Sequence, residues 1–108
     1  MNRLNDFQGS ARLLKILGHP VRLKIVCGLL SEPANLSRIA RDLRLPVSTL
    51  AQHLAILRNG GLLTEQRRGV EVYFHVSDRR VPSVLKALCR PSPTTAGLPR
   101  WRWQELNG

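Results

Sequence analysis

A chain of 108 residues, 43% of them hydrophobic, has material for one domain with a modest core. It carries 17 Lys plus Arg against 7 Asp plus Glu, a net charge of +10, and 14 of the cations are Arg. Guanidinium forks suit bidentate contacts to phosphate and guanine, so a polyanionic partner is expected. No apolar run approaches the roughly 18 residues needed to span a membrane, and the opening MNRLNDFQGSARLL is too polar for a secretory signal. The expected compartment is the cytoplasm, where a permanent structural disulfide between the two cysteines, Cys27 and Cys89, is not expected.

The spacing predicts a first helix over Phe7 to Leu17, with Leu13, Leu14, Ile16 and Leu17 on a broad apolar stripe. Gly18-His19-Pro20 ends it and starts a second helix, about Pro20 to Leu30. There Leu23, Val26, Cys27 and Leu30 recur at i, i+3, i+4, i+7, which puts Cys27 on the buried face. His19 is expected to cap or pack at this junction. Ser31 to Ala34 reads as a break. Asn35 caps a third helix with Leu36, Ile39, Ala40 and Leu43 on one side. A turn at Arg44-Leu45-Pro46 leads to a fourth helix, roughly Val47 to Arg58, with Leu50, Leu54 and Leu57 facing inward. Ser48, Thr49, Gln52 and His53 face outward near its start, and Asn59-Gly60-Gly61 stops it.

Two strands, Leu62 to Arg67 and Val70 to Val76, meet at Arg68-Gly69. Ser77-Asp78 then caps a last helix over about Val81 to Arg90, with Pro82 in its first turn. The stretch 91–108, PSPTTAGLPRWRWQELNG, reads as a mostly disordered tail, and its Arg100-Trp101-Arg102-Trp103 is expected to be mobile, the alternative being stacking on DNA or a partner. The expected fold is therefore α+β and mostly helical. It is a winged helix-turn-helix with about five helices and a two-stranded wing, occupying residues 1–90.

In such a motif the second helix of the pair enters the major groove by its N-terminal end, and the wing lies along the backbone. The expected DNA contacts are Ser48, Thr49, Gln52 and His53, with Arg67 and Arg68 at the wing tip. Gln52 has the geometry to pair bidentately with adenine, whereas Ser48 and Thr49 suit phosphate. An enzyme is not expected, because the chain has few carboxylates, one thiol per helix and no Gly-rich phosphate loop.

HPVRLKIVCGLL, STLAQHLAILRNGGLL and a wing ending in YFHVSD together resemble the ArsR/SmtB repressor family across about Leu13 to Cys89. The resemblance implies a homodimeric repressor that binds an inverted-repeat operator in double-stranded DNA and leaves it when an inducer binds. It also implies that the first and last helices pair across the two-fold axis. Two positions depart from the family pattern: Ala51 stands where Ser is common, and Pro46 replaces a usual capping Ser.

The family's metalloid sensors carry thiolates at positions matching Asn35, Ser37 and Ala40, none of which has sulfur. Its zinc sensors use an Asp-x-His with a later His and Glu. Asp78 matches the first, but Arg80, Pro91 and Thr94 fall at the others, so no metal and no cofactor are expected. Asp78 reads instead as a helix-terminal carboxylate. Cys27 resembles the second-helix thiol of the family's two-cysteine persulfide and redox sensors. Cys89 falls on the last helix about one turn earlier than their second thiol. That resemblance implies release from DNA when a disulfide or polysulfide joins Cys27 to Cys89. The alternatives are two buried cysteines acting as small hydrophobes, in a regulator that is constitutive or answers a metal through a non-standard site.

Overall fold

The computed structural model describes residues 6–88; Cys89, Arg90 and the 91–108 tail lie outside them. The elements run α1 (Phe7–Leu17), α2 (Pro20–Leu29), β1 (Ala34–Asn35), α3 (Leu36–Leu43), α4 (Val47–Asn59), β2 (Leu63–Arg68), β3 (Glu71–Val76) and α5 (Arg80–Leu88). Five helices and an antiparallel hairpin are thus arranged as a winged helix-turn-helix. Most helix starts are fixed by side chains: Asp6 accepts from the amide of Gly9, and Asn35 Oδ1 accepts from that of Arg38 at 2.9 Å. Pro20 occupies the first position of α2, and His19 caps that helix by accepting from the Val21 amide at 3.1 Å.

One core joins all the helices to the hairpin. Ile25 and Val26 from α2, Ile39 from α3, Leu50 and Leu57 from α4, and Val81 and Leu85 from α5 are fully buried. Leu62, Leu63 and Phe74 close it from the wing side. Arg22 ties α1 to α2 by donating from Nε to the Ile16 carbonyl at 2.6 Å. Gly60 sits where α4 meets α1, so close that a Cβ there would run into Ile16 Cδ1.

The sheet has three strands in the order β1-β3-β2, all antiparallel. Ala34 and Asn35, expected to lie in or beside a break, instead pair with Phe74 and Tyr73. Two residues carry no alternation to read, so their pairing is set by the tertiary fold. In the hairpin Arg68 stands opposite Glu71, leaving Gly69-Val70 as a two-residue loop. Gly69 has φ of 63°, the positive value that such a loop needs at its first residue. At the last helix Asp78 accepts from the amide of Arg80 at 2.8 Å, and the Arg80 guanidinium grips both its carboxylate oxygens. That guanidinium, first of all, holds the Asp78 carboxyl below the usual carboxylate range.

Candidate nucleic-acid interface

Helices α3 and α4 are joined by a turn in which Arg44 adopts φ of 56°. The amide of Leu45 donates to the carbonyl of Ala40 at 3.0 Å, closing the end of α3 so that the chain can reverse within three residues. Pro46 then opens α4 without any side-chain cap. The first amides of α4 therefore have no intrahelical or capping acceptor, which suits that helix end to an anion.

Leu50, Leu54 and Leu57 turn one stripe of α4 into the core. At 3.6 residues per turn, Ser48 and Gln52 lie on the far side and are exposed, with exposed Ala51 beside them. Thr49 is half-buried on the flank. His53 leaves this edge. It was expected to face outward, but one helical step beyond Gln52 carries it toward the buried stripe. Its ring lies 4.5 Å from that of His19, tilted by 51°. Its Nδ1 is sealed from solvent without a hydrogen-bond partner. Burial first, then the neighbouring His19 and Arg22, holds the His53 imidazole below the ordinary histidine range.

The two wing arginines are exposed but do not act side by side. Strand alternation sends Arg67 to the face shared by Val72, Phe74 and Glu65, and Arg68 to the face shared by Tyr73 and Glu71. No carboxylate of the described residues ion-pairs with either one. The nearby acids are engaged elsewhere. Glu65 bridges to Arg58 at 2.7 Å, bracing the end of α4 against β2. Glu71 accepts from the Tyr73 hydroxyl at 3.1 Å and from Asn35 Nδ2 at 3.2 Å. Between α3 and the wing runs an open groove of about 410 Å³ that includes Ser37, Glu65 and Val72.

Nothing in the sequence joins Arg58, Glu65, Glu71, Tyr73 and Asn35 as a bracing set; Asn35 is legible there as a cap and as a match to a metalloid-sensor thiolate position. Parity across a two-residue hairpin loop was the available signal for Arg68, Glu71 and Tyr73. The positions matching thiolates of metalloid sensors have other uses here: Asn35 caps α3 and Ala40 is buried. Cys27, in the last turn of α2, is 7% exposed and disulfide-bonded.

Comparisons agree with this geometry. A sequence profile described as bacterial regulatory protein, arsR family, matches residues 19–65. The transcriptional repressor PagR of Bacillus anthracis is 40% identical over 84 residues, covering 77% of this chain and 84% of PagR. The biofilm growth-associated repressor of Xylella fastidiosa is 30% identical over 78 residues, covering 72% of this chain and 68% of its own. Among solved structures, HlyU from Vibrio cholerae superposes with a TM-score of 0.75 at 30% identity, covering 83% of this chain and 96% of HlyU.

Proposed function

Because the chain belongs to the arsR family of bacterial regulatory proteins, DNA-binding transcriptional repressors with a winged helix, we propose that it is a homodimeric, thiol-controlled repressor of an inverted-repeat operator. The observation that carries the DNA reading is the exposed Ser48–Gln52 edge at an uncapped helix start, flanked by a wing whose Arg67 and Arg68 ion-pair with no carboxylate of the described residues. Gln52 reads a base edge, while Ser48, Thr49 and the first amides of α4 hold phosphate. Arg67 and Arg68 grip the backbone from two faces of the wing. His53 positions α4 against α2 rather than touching DNA.

Two copies of α4 read successive major grooves when they stand one helical turn apart, about 34 Å. The dimer reading is supported by apolar side chains left open on the terminal helices. Phe7 and Leu14 share a face of α1 and are 76% and 57% exposed, and Leu88 at the end of α5 is 65% exposed. Sedimentation equilibrium tests it: a dimer is expected, and a monomer at micromolar concentration contradicts it.

The control step is oxidation of Cys27 and Cys89. Two thiols give up two electrons and two protons to a low-molecular-weight disulfide or polysulfide and become a protein disulfide. Cys27 is buried in the last turn of α2, and Cys89, the chain's other cysteine, lies outside the described residues. A bond between them demands Cβ atoms about 3.5–4.5 Å apart. Closing or opening it shifts the last helix against α2, and with it the spacing of the two α4 helices. The bonded Cys27 of this structure corresponds to the oxidised state of the switch, and the reducing cytoplasm is the compartment in which the cycle starts from two thiols. The test is DNA affinity with and without a polysulfide. The wild-type chain is expected to lose affinity and Cys27→Ser, Cys89→Ser to be indifferent. Equal responses from the two would overturn the switch.

A further inference from the structure

Directly opposite Arg68 across the hairpin stands Glu71, the cross-strand position from which a carboxylate normally pairs with an arginine. That pair is not made. The Arg68 guanidinium instead lies over the Tyr73 ring, its Cζ 4.7 Å from the ring centroid. The Glu71 carboxylate is drawn the other way, accepting from the Tyr73 hydroxyl and from the side-chain amide of Asn35 at the start of α3. One tyrosine thus uses its face for the cation and its hydroxyl for the anion.

From this arrangement we infer that Tyr73 is a positioning residue for DNA binding, which keeps the wing-tip Arg68 from being neutralised by Glu71 and so keeps its charge available to a phosphate. The inference rests on the proposed backbone contact of Arg68. An arginine on an aromatic face retains its full charge and its N–H donors at the ring's edge. The same arginine paired to Glu71 would have to break an ion pair before it met DNA. Asn35 completes the device, because its bond to Glu71 anchors the carboxylate to the helix-turn-helix. All four residues lie on or beside one face of the sheet, and three of them share it by strand parity.

The experiment measures the affinity of the full chain for a duplex it has selected from a random pool, between 50 and 200 mM NaCl. Each phosphate contact contributes about 0.9 to the slope of log affinity against log salt, or about 3.5-fold over that range. Arg68→Ala is expected to lose about one contact per protomer. Tyr73→Phe keeps the ring beneath Arg68 and removes only the hydroxyl, which frees the Glu71 carboxylate to swing to Arg68. Its slope is expected to fall toward that of Arg68→Ala. Adding Glu71→Gln to Tyr73→Phe is expected to restore the slope, and to raise affinity more than Glu71→Gln does in the wild-type chain.

A purely structural role for Tyr73 would give no such rescue, and equal urea midpoints for Tyr73→Phe and wild type exclude a folding defect. A wild-type slope for Tyr73→Phe, or equal gains from Glu71→Gln in both backgrounds, would overturn the inference while leaving the wing contact standing. A wild-type slope for Arg68→Ala would instead remove the wing contact itself, and the inference with it.

Discussion

Replacing Asn35 by Ala removes two bonds from one side chain: the Oδ1 acceptor that caps α3 and the Nδ2 donor to Glu71. Loss of an Asn cap costs about 1 kcal/mol. The bond to Glu71 is solvent-exposed, so its loss adds no more than about 0.5 kcal/mol, the low end for a hydrogen bond. The sum, about 1.5 kcal/mol, corresponds to a fall in Tm of roughly 6–12 °C for a domain of this size. Asn35→Ser separates the two contributions, because a serine hydroxyl caps as well as an amide but is too short to reach Glu71. It is expected to lose about a third as much. Urea unfolding at one fixed protein concentration reads both, since dimerisation makes apparent stability concentration-dependent. Unchanged m-values would place the change in the folded state. If Asn35→Ala stays within about 0.3 kcal/mol of wild type, the cap does not hold α3 in place. If Asn35→Ser is as costly as Asn35→Ala, the bond to Glu71 has been undervalued.

The remaining expectations concern His53, Ile39 and Gly69. The folded state holds the His53 imidazole below its ordinary value of about 6.5. Below that pH the unfolded chain takes up a proton that the folded chain resists, so stability is complete above 6.5 and falls as the pH drops beneath it. His53→Phe is expected to flatten urea midpoints between pH 7.5 and 5, and an unchanged slope would contradict the burial of Nδ1. Ile39 is fully buried where α3 meets the core, so Ile39→Ala should cost about 2–5 kcal/mol in the same assay. A Cβ at Gly69 meets nothing within 4 Å, which leaves only the positive φ as an obstacle. Gly69→Ala should therefore cost about 1–2 kcal/mol, and a neutral result by thermal melting would mean that the wing loop readily changes conformation.

Much of the fold was legible because its boundaries carry distinctive chemistry. Asn35 starts α3, Pro20 starts α2, Gly60-Gly61 follow α4 and Gly69 turns the wing, each where a special backbone geometry or a cap is needed. The burial of Cys27 followed from helical periodicity alone. Strand β1 was not legible, since two residues show no alternation and their pairing depends on where β3 happens to pass. His53 illustrates a finer limit. A polar residue on the border of a helix stripe faces either way, and here the His19 ring at the start of α2 decides the matter from 34 positions away. Composition flagged the arginines but not their environment: Arg67 and Arg68 are neighbours in sequence and point to opposite faces in space.

The central claim is that the exposed edge of α4 reads sequence while the wing supplies attraction without reading it. The most direct measurement compares Gln52→Ala with wild type on the selected duplex and on a scrambled duplex of equal length and salt. A bidentate side-chain contact to a base is worth about 1–3 kcal/mol, or roughly 5- to 150-fold in affinity. That loss should appear on the selected duplex and nearly vanish on the scrambled one. An equal loss on both, or no loss on either, would contradict the assignment of base reading to this edge of α4.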